Sequence, residues 1–150
     1  MEILDKPWPE APLVMEELFS DVWHDPGQWA KKCVEEFGAE AICLRLLSAH
    51  PDEGDTGAET ARQNVRKVLE AVGVPLIVKG PGIADKDNEV LPAVSQEAAG
   101  EKILLGSAVQ ENYKTIVASA MADGHCVIGE SPIDINIAKQ VNILISDMGF

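Results

Sequence analysis

The sequence predicts an α/β fold made of consecutive βα units with parallel strands. Short apolar runs alternate with longer stretches in which apolar residues recur at helical spacing. A glycine ends each helical stretch, and the repeat of roughly 25 to 35 residues is the size of one βα unit. Consecutive units of this kind place their strands side by side in parallel, with right-handed crossovers. The glycines that mark the repeat are Gly38, Gly73, Gly100, Gly124 and Gly149.

The composition limits the classes of function. The chain has 150 residues, 46% of them hydrophobic, which is enough apolar material for the core of one domain. Its net charge of −13 disfavours nucleic acid or an anionic membrane as a partner, because both require a basic surface. No apolar run reaches the roughly 18 residues of a membrane span, and the start lacks the order of a signal peptide. Because Cys33, Cys43 and Cys126 are expected to be reduced core thiols, we predict a cytoplasmic protein.

The first part of the chain predicts two strands with a helix between them. Residues 1–12 contain three prolines and are expected to form an extended lead-in to a domain over residues 13–150. The stretch from Pro12 to Leu18 is the candidate for the first strand. Asp25, followed by a proline, is expected to start a helix, because its side chain can accept a hydrogen bond from the first turn. The second predicted strand covers Ala41–Leu47.

Three more strand–helix units follow in the same order. Their predicted strands are short and continuously apolar, as buried parallel strands are. Each following helix has a polar residue near its predicted start, where side-chain oxygens satisfy free backbone N–H groups. The predicted strands are Pro75–Val78, Lys102–Leu105 and Cys126–Ile128. The helix after the second strand is predicted to start at Thr56 with Glu59. The starts predicted for the three later helices are Asp85 or Asp87, Asn112 with Tyr113, and Ser131 with Pro132.

The motifs favour a barrel over an open dinucleotide-binding sheet. Such a sheet requires a Gly-x-Gly-x-x-Gly turn, but Lys79-Gly-Pro-Gly82 lacks the third glycine and its proline removes a phosphate-binding N–H. Charged residues also lie in or near the predicted strands, which suits the interior of a barrel. We therefore predict an incomplete (β/α)8 TIM barrel with about five of its eight units. The charged residues are Glu17, Arg45, Lys79 and Glu130.

Candidate binding residues follow from the barrel, because ligands bind at the carboxyl ends of its strands. His50 either contacts a cofactor there or is a loop residue before a proline, and Gly106 with Ser107 either admits a cofactor to the backbone or forms a tight turn. Ser131 and Asp134 are helix-start residues first, and Asn136 either lines the site or faces solvent. No nucleophile–base pair or Cys-x-x-Cys motif predicts a catalytic or metal site. The predicted cofactor-binding residues are His50, Lys79, Gly80, Gly106, Ser107, Ser131, Asp134 and Asn136.

Five segments also resemble a known family when they are taken in order along the chain. They are Pro75–Gly80, Asp85–Pro92, Leu104–Ala108, Glu111–Ile116 and Ser131–Gln140. In this order they resemble the small (delta) subunit of the corrinoid iron–sulfur protein, which belongs to the CO dehydrogenase/acetyl-CoA synthase system. The likeness runs from about Leu13 to the end of the chain and covers the N-terminal part of that family's barrel.

The resemblance implies a barrel subunit without catalytic groups of its own. It implies a cobalamin-type corrinoid held mainly by a large partner subunit, which also carries the iron–sulfur cluster, so no cluster is expected in this chain. The subunit would help to hold and shield the corrinoid during methyl transfer in acetyl-CoA synthesis or cleavage. A methyltransferase and acetyl-CoA synthase are the implied transient partners.

Two alternatives stay open. The family's barrel is related to methyltetrahydrofolate methyltransferases, so Asp85, Asn88 and Ser107 are candidates for binding a tetrahydropterin. Asp87 is a further candidate, although a helix cap is the simpler role for either aspartate. The second alternative is a half-barrel scaffold that associates with itself through the open edges of its first and fifth strands.

Overall fold

A computed structural model describes residues 1–131 and 133–150, and within them five strands form one parallel sheet in chain order. The strands are β1 (Glu2–Leu4), β2 (Ile42–Arg45), β3 (Leu76–Lys79), β4 (Leu104–Ala108) and β5 (Cys126–Gly129). The helices are α1 (Leu13–Phe19), α2 (Pro26–Glu35), α3 (Ala58–Ala71), α4 (Ala84–Glu97), α5 (Tyr113–Asp123) and α6 (Ile135–Asp147).

This architecture confirms the predicted α/β fold of consecutive βα units. Each strand pairs in parallel with the next strand along the chain, and helices alternate with strands. That neighbour order is the one that five consecutive units of a (β/α)8 barrel would have. β1 and β5 lie at the two ends of the described sheet, so the sheet is open.

The predicted first strand is wrong, because the stretch from Pro12 to Leu18 lies in helix α1 and its start. As a strand, this stretch would place an acidic residue among the apolar residues on each of its faces. As a helix, it brings Met15 and Phe19 onto one side, where Phe19 is buried against Trp29 at a ring-centroid distance of 6.0 Å. The first strand is instead β1, inside the predicted lead-in, and its Ile3 is fully buried.

The sheet has one covered face and one half-open face. Ile3, Leu44, Val78 and Leu105 occupy one register row and are all fully buried on the face that the helices cover. The next row points to the other face and is only partly covered, apart from its buried glycine. That row is Leu4, Arg45, Lys79, Gly106 and Ile128. The half-open face therefore carries two basic side chains on neighbouring strands.

Two of the predicted helix starts are confirmed. Asp25 caps α2 by accepting a hydrogen bond of 3.1 Å from the backbone N–H of Gln28. Asn112 stands at the N-terminal cap position of α5, as predicted.

The other predicted starts differ. Gly57 precedes α3, and Thr56 instead lies 2.8 Å from Ser48 through their hydroxyl oxygens. Ile83 precedes α4, so neither Asp85 nor Asp87 occupies its cap position. Asp134 caps α6 through its side chain, whereas the predicted cap Ser131 donates to the backbone oxygen of Asp134 at 2.9 Å. The prediction for Pro132 falls outside the described residues.

A buried histidine, His125, lies at the amino-terminal edge of the sheet. His125 is 5% exposed, and its Nδ1 accepts a hydrogen bond from the backbone N–H of Ile103 at 3.3 Å. Its Nε2 is 2.8 Å from the backbone oxygen of Ser95, which fixes the proton on Nε2. Ser95 also donates to the backbone oxygen of Ser119 at 3.0 Å. These bonds tie α4, α5 and the start of β4 together.

The cysteine prediction is only partly right. All three thiols are free, as expected, but only Cys33 is a core residue. Cys43 is half-buried and Cys126 is exposed, because both lie on the half-open face of the sheet. Among the residues that the structure describes, no helix has the length and apolar character needed to cross a bilayer.

Candidate functional site

A cavity of about 220 Å³ lies at the carboxyl ends of β3, β4 and β5. At its wall, Lys79 and Glu130 form an ion pair with 3.0 Å between Nζ and Oε2. Ser107 donates its hydroxyl hydrogen to the same carboxylate oxygen. The Ser107 hydrogen bond and the nearby Lys79 lower the pKa of Glu130 below its ordinary value. The cavity thus presents an ammonium group, a hydroxyl group and an ionised carboxylate side by side.

Behind this wall lies a buried carboxyl group, that of Asp87 in the first turn of α4. Asp87 is 3% exposed, and its Oδ1 accepts a hydrogen bond of 3.2 Å from the backbone N–H of Gly82. Burial raises the pKa of Asp87 to about 6, against the opposing effects of the Gly82 hydrogen bond and the Lys79 charge. The carboxyl group fits because Gly80 has no side chain: a Cβ there would lie 2.1 Å from Asp87 Oδ1.

Asn112 connects this carboxyl group to the turn after β4. The residue is 1% exposed, and its Oδ1 accepts a hydrogen bond of 2.7 Å from the backbone N–H of Val109. Its Nδ2 donates to the backbone oxygen of Ser107 at 3.1 Å and to Asp87 Oδ2 at 3.4 Å. The turns that follow β3 and β4 are therefore joined through two buried polar side chains.

A second cavity of about 350 Å³ adjoins the first and shares Glu130 and Val109 with it. Its other walls come from the turn after β4, from the residues that lead into α6 and from the first turn of α6. Ile133, which is 95% exposed, and Ile137 supply apolar surface there. Together the two cavities place the polar side chains of the first beside the apolar surface of Ile133 and Ile137 along one edge of the sheet.

The structure brings most of the predicted site residues to this edge. Lys79, Gly80 and Ser107 line the first cavity, and Ser131 with Asp134 lines the second. Gly106 is buried beside Ile128, where a Cβ would approach to 3.0 Å.

Besides Gly106, two of the predicted residues lie outside the linings of both cavities. His50 lies after β2, and its Nδ1 accepts from the backbone N–H of Asp52 at 3.1 Å. Asn136 is exposed on the first turn of α6, where its backbone N–H donates to Asp134.

The sequence-based set missed four residues of this edge. Glu130 and Arg45 carried a signal, as charges at or near strand ends, and both line the first cavity. Arg45 Nε lies 3.2 Å from Glu2 Oε1 but is not aligned for a hydrogen bond, so this buried nitrogen is unpaired. Asp87 and Asn112 were interpreted mainly as helix-start residues, and their burial is not visible in the sequence.

Within residues 1–131 and 133–150, no three His, Cys, Asp or Glu side chains lie close enough together to hold a metal ion.

The whole chain matches the sequence model of a known family. The matched residues are 1–150, and the family is described as "CO dehydrogenase/acetyl-CoA synthase delta subunit". The chain belongs to this delta-subunit family. The resemblance seen in the ordered segments of the sequence is therefore confirmed.

Curated members of the delta-subunit family show how much of them this chain covers. It is 39% identical over 149 residues to the acetyl-CoA decarbonylase/synthase complex subunit delta of Methanocaldococcus jannaschii, covering 99% of this chain and 37% of the relative. The protein of the same name from Methanothermobacter thermautotrophicus is 36% identical over 142 residues, covering 94% and 36%. The one from Methanopyrus kandleri is 31% identical over 149 residues, covering 99% and 37%. The chain spans little more than a third of the length of these relatives.

Proposed function

We propose that this chain is a non-catalytic barrel portion of a corrinoid iron–sulfur methyl carrier, and that its carboxyl-terminal sheet edge faces the corrinoid. The observation that carries the proposal is the pair of adjoining cavities at that edge, where Lys79, Ser107 and Glu130 line the first and Ile133 and Ile137 add apolar surface to the second. Membership in the delta-subunit family supports a role in a multisubunit complex, because curated relatives are named as subunits of the acetyl-CoA decarbonylase/synthase complex. The proposed partner is the large, corrinoid-bearing subunit.

The residues of this edge fit the outer rim of a corrinoid. A corrin ring carries primary carboxamide side chains, each with a hydrogen-bond acceptor beside a donor. Lys79 Nζ and Glu130 Oε2, 3.0 Å apart, present a donor beside an acceptor. Ile133 and Ile137 offer apolar contact to the ring's methyl groups. The corrinoid would carry the methyl group on its cobalt, and this chain would bind the periphery and exclude water.

Removing the Lys79–Glu130 pair is expected to weaken binding of the corrinoid-loaded large subunit. We expect Lys79→Met to raise the Kd about tenfold and Glu130→Gln about fivefold, because each change leaves one hydrogen-bonding group unmatched. Isothermal titration calorimetry of the chain against the loaded subunit measures both values. Lys31→Met is the matched control, because Lys31 lies on α2 and its partner is Glu35 on the same helix.

Two results would contradict the proposal. One is a failure of the unaltered chain to bind the loaded large subunit at concentrations up to about 100 μM. Such a result would mean a Kd far above that of a stable subunit contact. The other is an equal effect of Lys79→Met and Lys31→Met on the Kd. Titration of the corrinoid-free large subunit separates contact with the cofactor from contact with the protein.

A tetrahydropterin site is the second candidate, and Asp87 is the observation that favours it. Of the acidic and amide residues proposed for pterin binding from the sequence, Asp87 lines the first cavity, whereas Asp85 is exposed. A buried carboxyl group beside a hydroxyl can pair with the N–H groups of a pterin ring. Calorimetry with methyltetrahydrofolate tests this candidate: binding that is lost in Ser107→Ala supports it, and absence of heat at millimolar ligand removes it.

A further inference from the structure

We propose that Asp87 and Asn112 are positioning residues that form a proton-sensitive clasp between the turns after β3 and β4. The clasp presents Lys79 and Ser107 to the carboxyl-edge cavity as one unit. The inference rests on the proposed function only where it says that Lys79 and Ser107 face a ligand. The coupling of the two turns rests on contacts within this chain alone.

The first half of the clasp is the fit of Asp87 beneath the turn Lys79–Gly82. Its Oδ1 lies 2.1 Å from the position that a Cβ of Gly80 would take, and the same oxygen accepts the Gly82 N–H. Gly82 has a φ of +90°, a backbone conformation that suits glycine. The shape of this turn therefore depends on the carboxyl group of Asp87, although that group belongs to the following helix.

The second half is Asn112, which uses both ends of its amide. Its oxygen is held by Val109 N–H, so the Nδ2 group must face Ser107 and Asp87 Oδ2 as a donor. An ionised Asp87 can accept from this donor. A protonated Asp87 that carries its hydrogen on Oδ2 faces the Nδ2 group with a second donor, and that contact is lost. Proton uptake by Asp87 is thus transmitted to the turn after β4.

The charged groups around the clasp come from three strands. Lys79 on β3 favours the ionised form of Asp87, while Glu130 after β5 already pairs with Lys79 and reduces that effect. Arg45 on β2 lines the same cavity, and α5 contributes the uncharged Asn112. Burial outweighs these partners and raises the pKa of Asp87 to about 6. The clasp is accordingly closed above this pH and loosened below it.

The test follows the backbone amide signals of Gly82 and Val109 by nuclear magnetic resonance between pH 4.5 and 8, using the whole chain without any corrinoid. We expect both signals to shift with one common midpoint near 6, and this shift to vanish in Asp87→Asn. Asp85→Asn is the matched control, because Asp85 lies in the same helical turn but is exposed, and the shift should persist in it. Asn112→Ser should leave the Gly82 shift and abolish that of Val109.

The inference fails if Val109 does not titrate with Gly82, or if the common shift survives in Asp87→Asn. If Asp87→Asn does not fold, Asn112→Ser decides the matter, because retention of the Val109 shift there contradicts the clasp. None of these signals depends on a corrinoid or a partner. A failure of corrinoid binding would therefore overturn the proposed function and leave the clasp standing.

Discussion

Replacing Leu105 by alanine is expected to lower the free energy of unfolding by about 3 kcal/mol, because a fully buried leucine loses its apolar contacts and leaves a cavity. Leu105 lies in β4, in the buried row between the sheet and its helices, and its neighbours in that row on β3 and β5 are Val78 and Val127. The measurement is urea denaturation followed by the fluorescence of the three tryptophans.

The adjacent residue provides the control, because Leu104 has the same chemistry but points to the half-open face. It is only partly buried, so Leu104→Ala is expected to cost about 1 kcal/mol. The difference between the two variants reports whether only one face of the sheet is covered. Equal losses would mean that the face carrying Leu104 is packed as tightly as the helix-facing one, which would contradict the described fold.

Replacing Gly80 by alanine is expected to cost about 3 kcal/mol as well, for the opposite reason. The added Cβ would stand 2.1 Å from Asp87 Oδ1 and 2.9 Å from its Cγ, so the carboxyl group must leave its buried place. Asp87 would then lose the hydrogen bond from Gly82, and Asn112 would lose one acceptor. Urea denaturation at pH 7 measures the change.

A second glycine and a double variant make this test specific. At Gly73 no atom lies within 4 Å of the position that an added Cβ would take, so Gly73→Ala should change stability by less than about 1 kcal/mol. Asp87→Ala removes the group with which the new methyl at position 80 collides. The double variant with Gly80→Ala should therefore be more stable than the sum of the two single losses predicts. Additive losses would show that the two positions do not meet.

The raised pKa of Asp87 also makes the free energy of unfolding depend on pH, and the sign of this dependence follows from the direction of the shift. Its pKa is raised from 3.8 to about 6 in the folded chain, so folding favours the protonated form. The resulting stabilisation is fully present below the unfolded pKa of 3.8 and is lost as the pH rises through about 6. The Gly80 and Leu105 variants are therefore best compared with the unaltered chain at a single pH.

Much of the fold follows from local signals in the sequence. Two signals predict the order of the units: short apolar strands, and helices that end at a glycine. Asp25 predicts the exact residue at which one helix starts. β1 was missed because its apolar part is only two residues, Ile3 and Leu4, beside charged neighbours. Its burial comes from pairing with β2, which lies about forty residues away in the chain.

The candidate site was likewise predictable where it depends on the fold class, and not where it depends on contacts between distant residues. Lys79, Gly80 and Ser107 were found because the ends of parallel strands meet at one edge, which is a property of the fold class. The role of Asp87 depends on the missing side chain of Gly80 across the turn, and the role of Asn112 depends on three atoms from two segments. Neither arrangement leaves a pattern of spacing, so periodicity could not reveal them.

Helix α4 is bound to its neighbour at both ends, and this has a consequence for how the molecule opens. Asp87 in its first turn reaches Asn112, and Ser95 in its last turn bonds Ser119 and His125. Fraying of this helix from either end would therefore break buried polar bonds at that end. Amide hydrogens from α4 to the start of β5 should consequently exchange as one cooperative block, slower than those of α1, which buries a single residue.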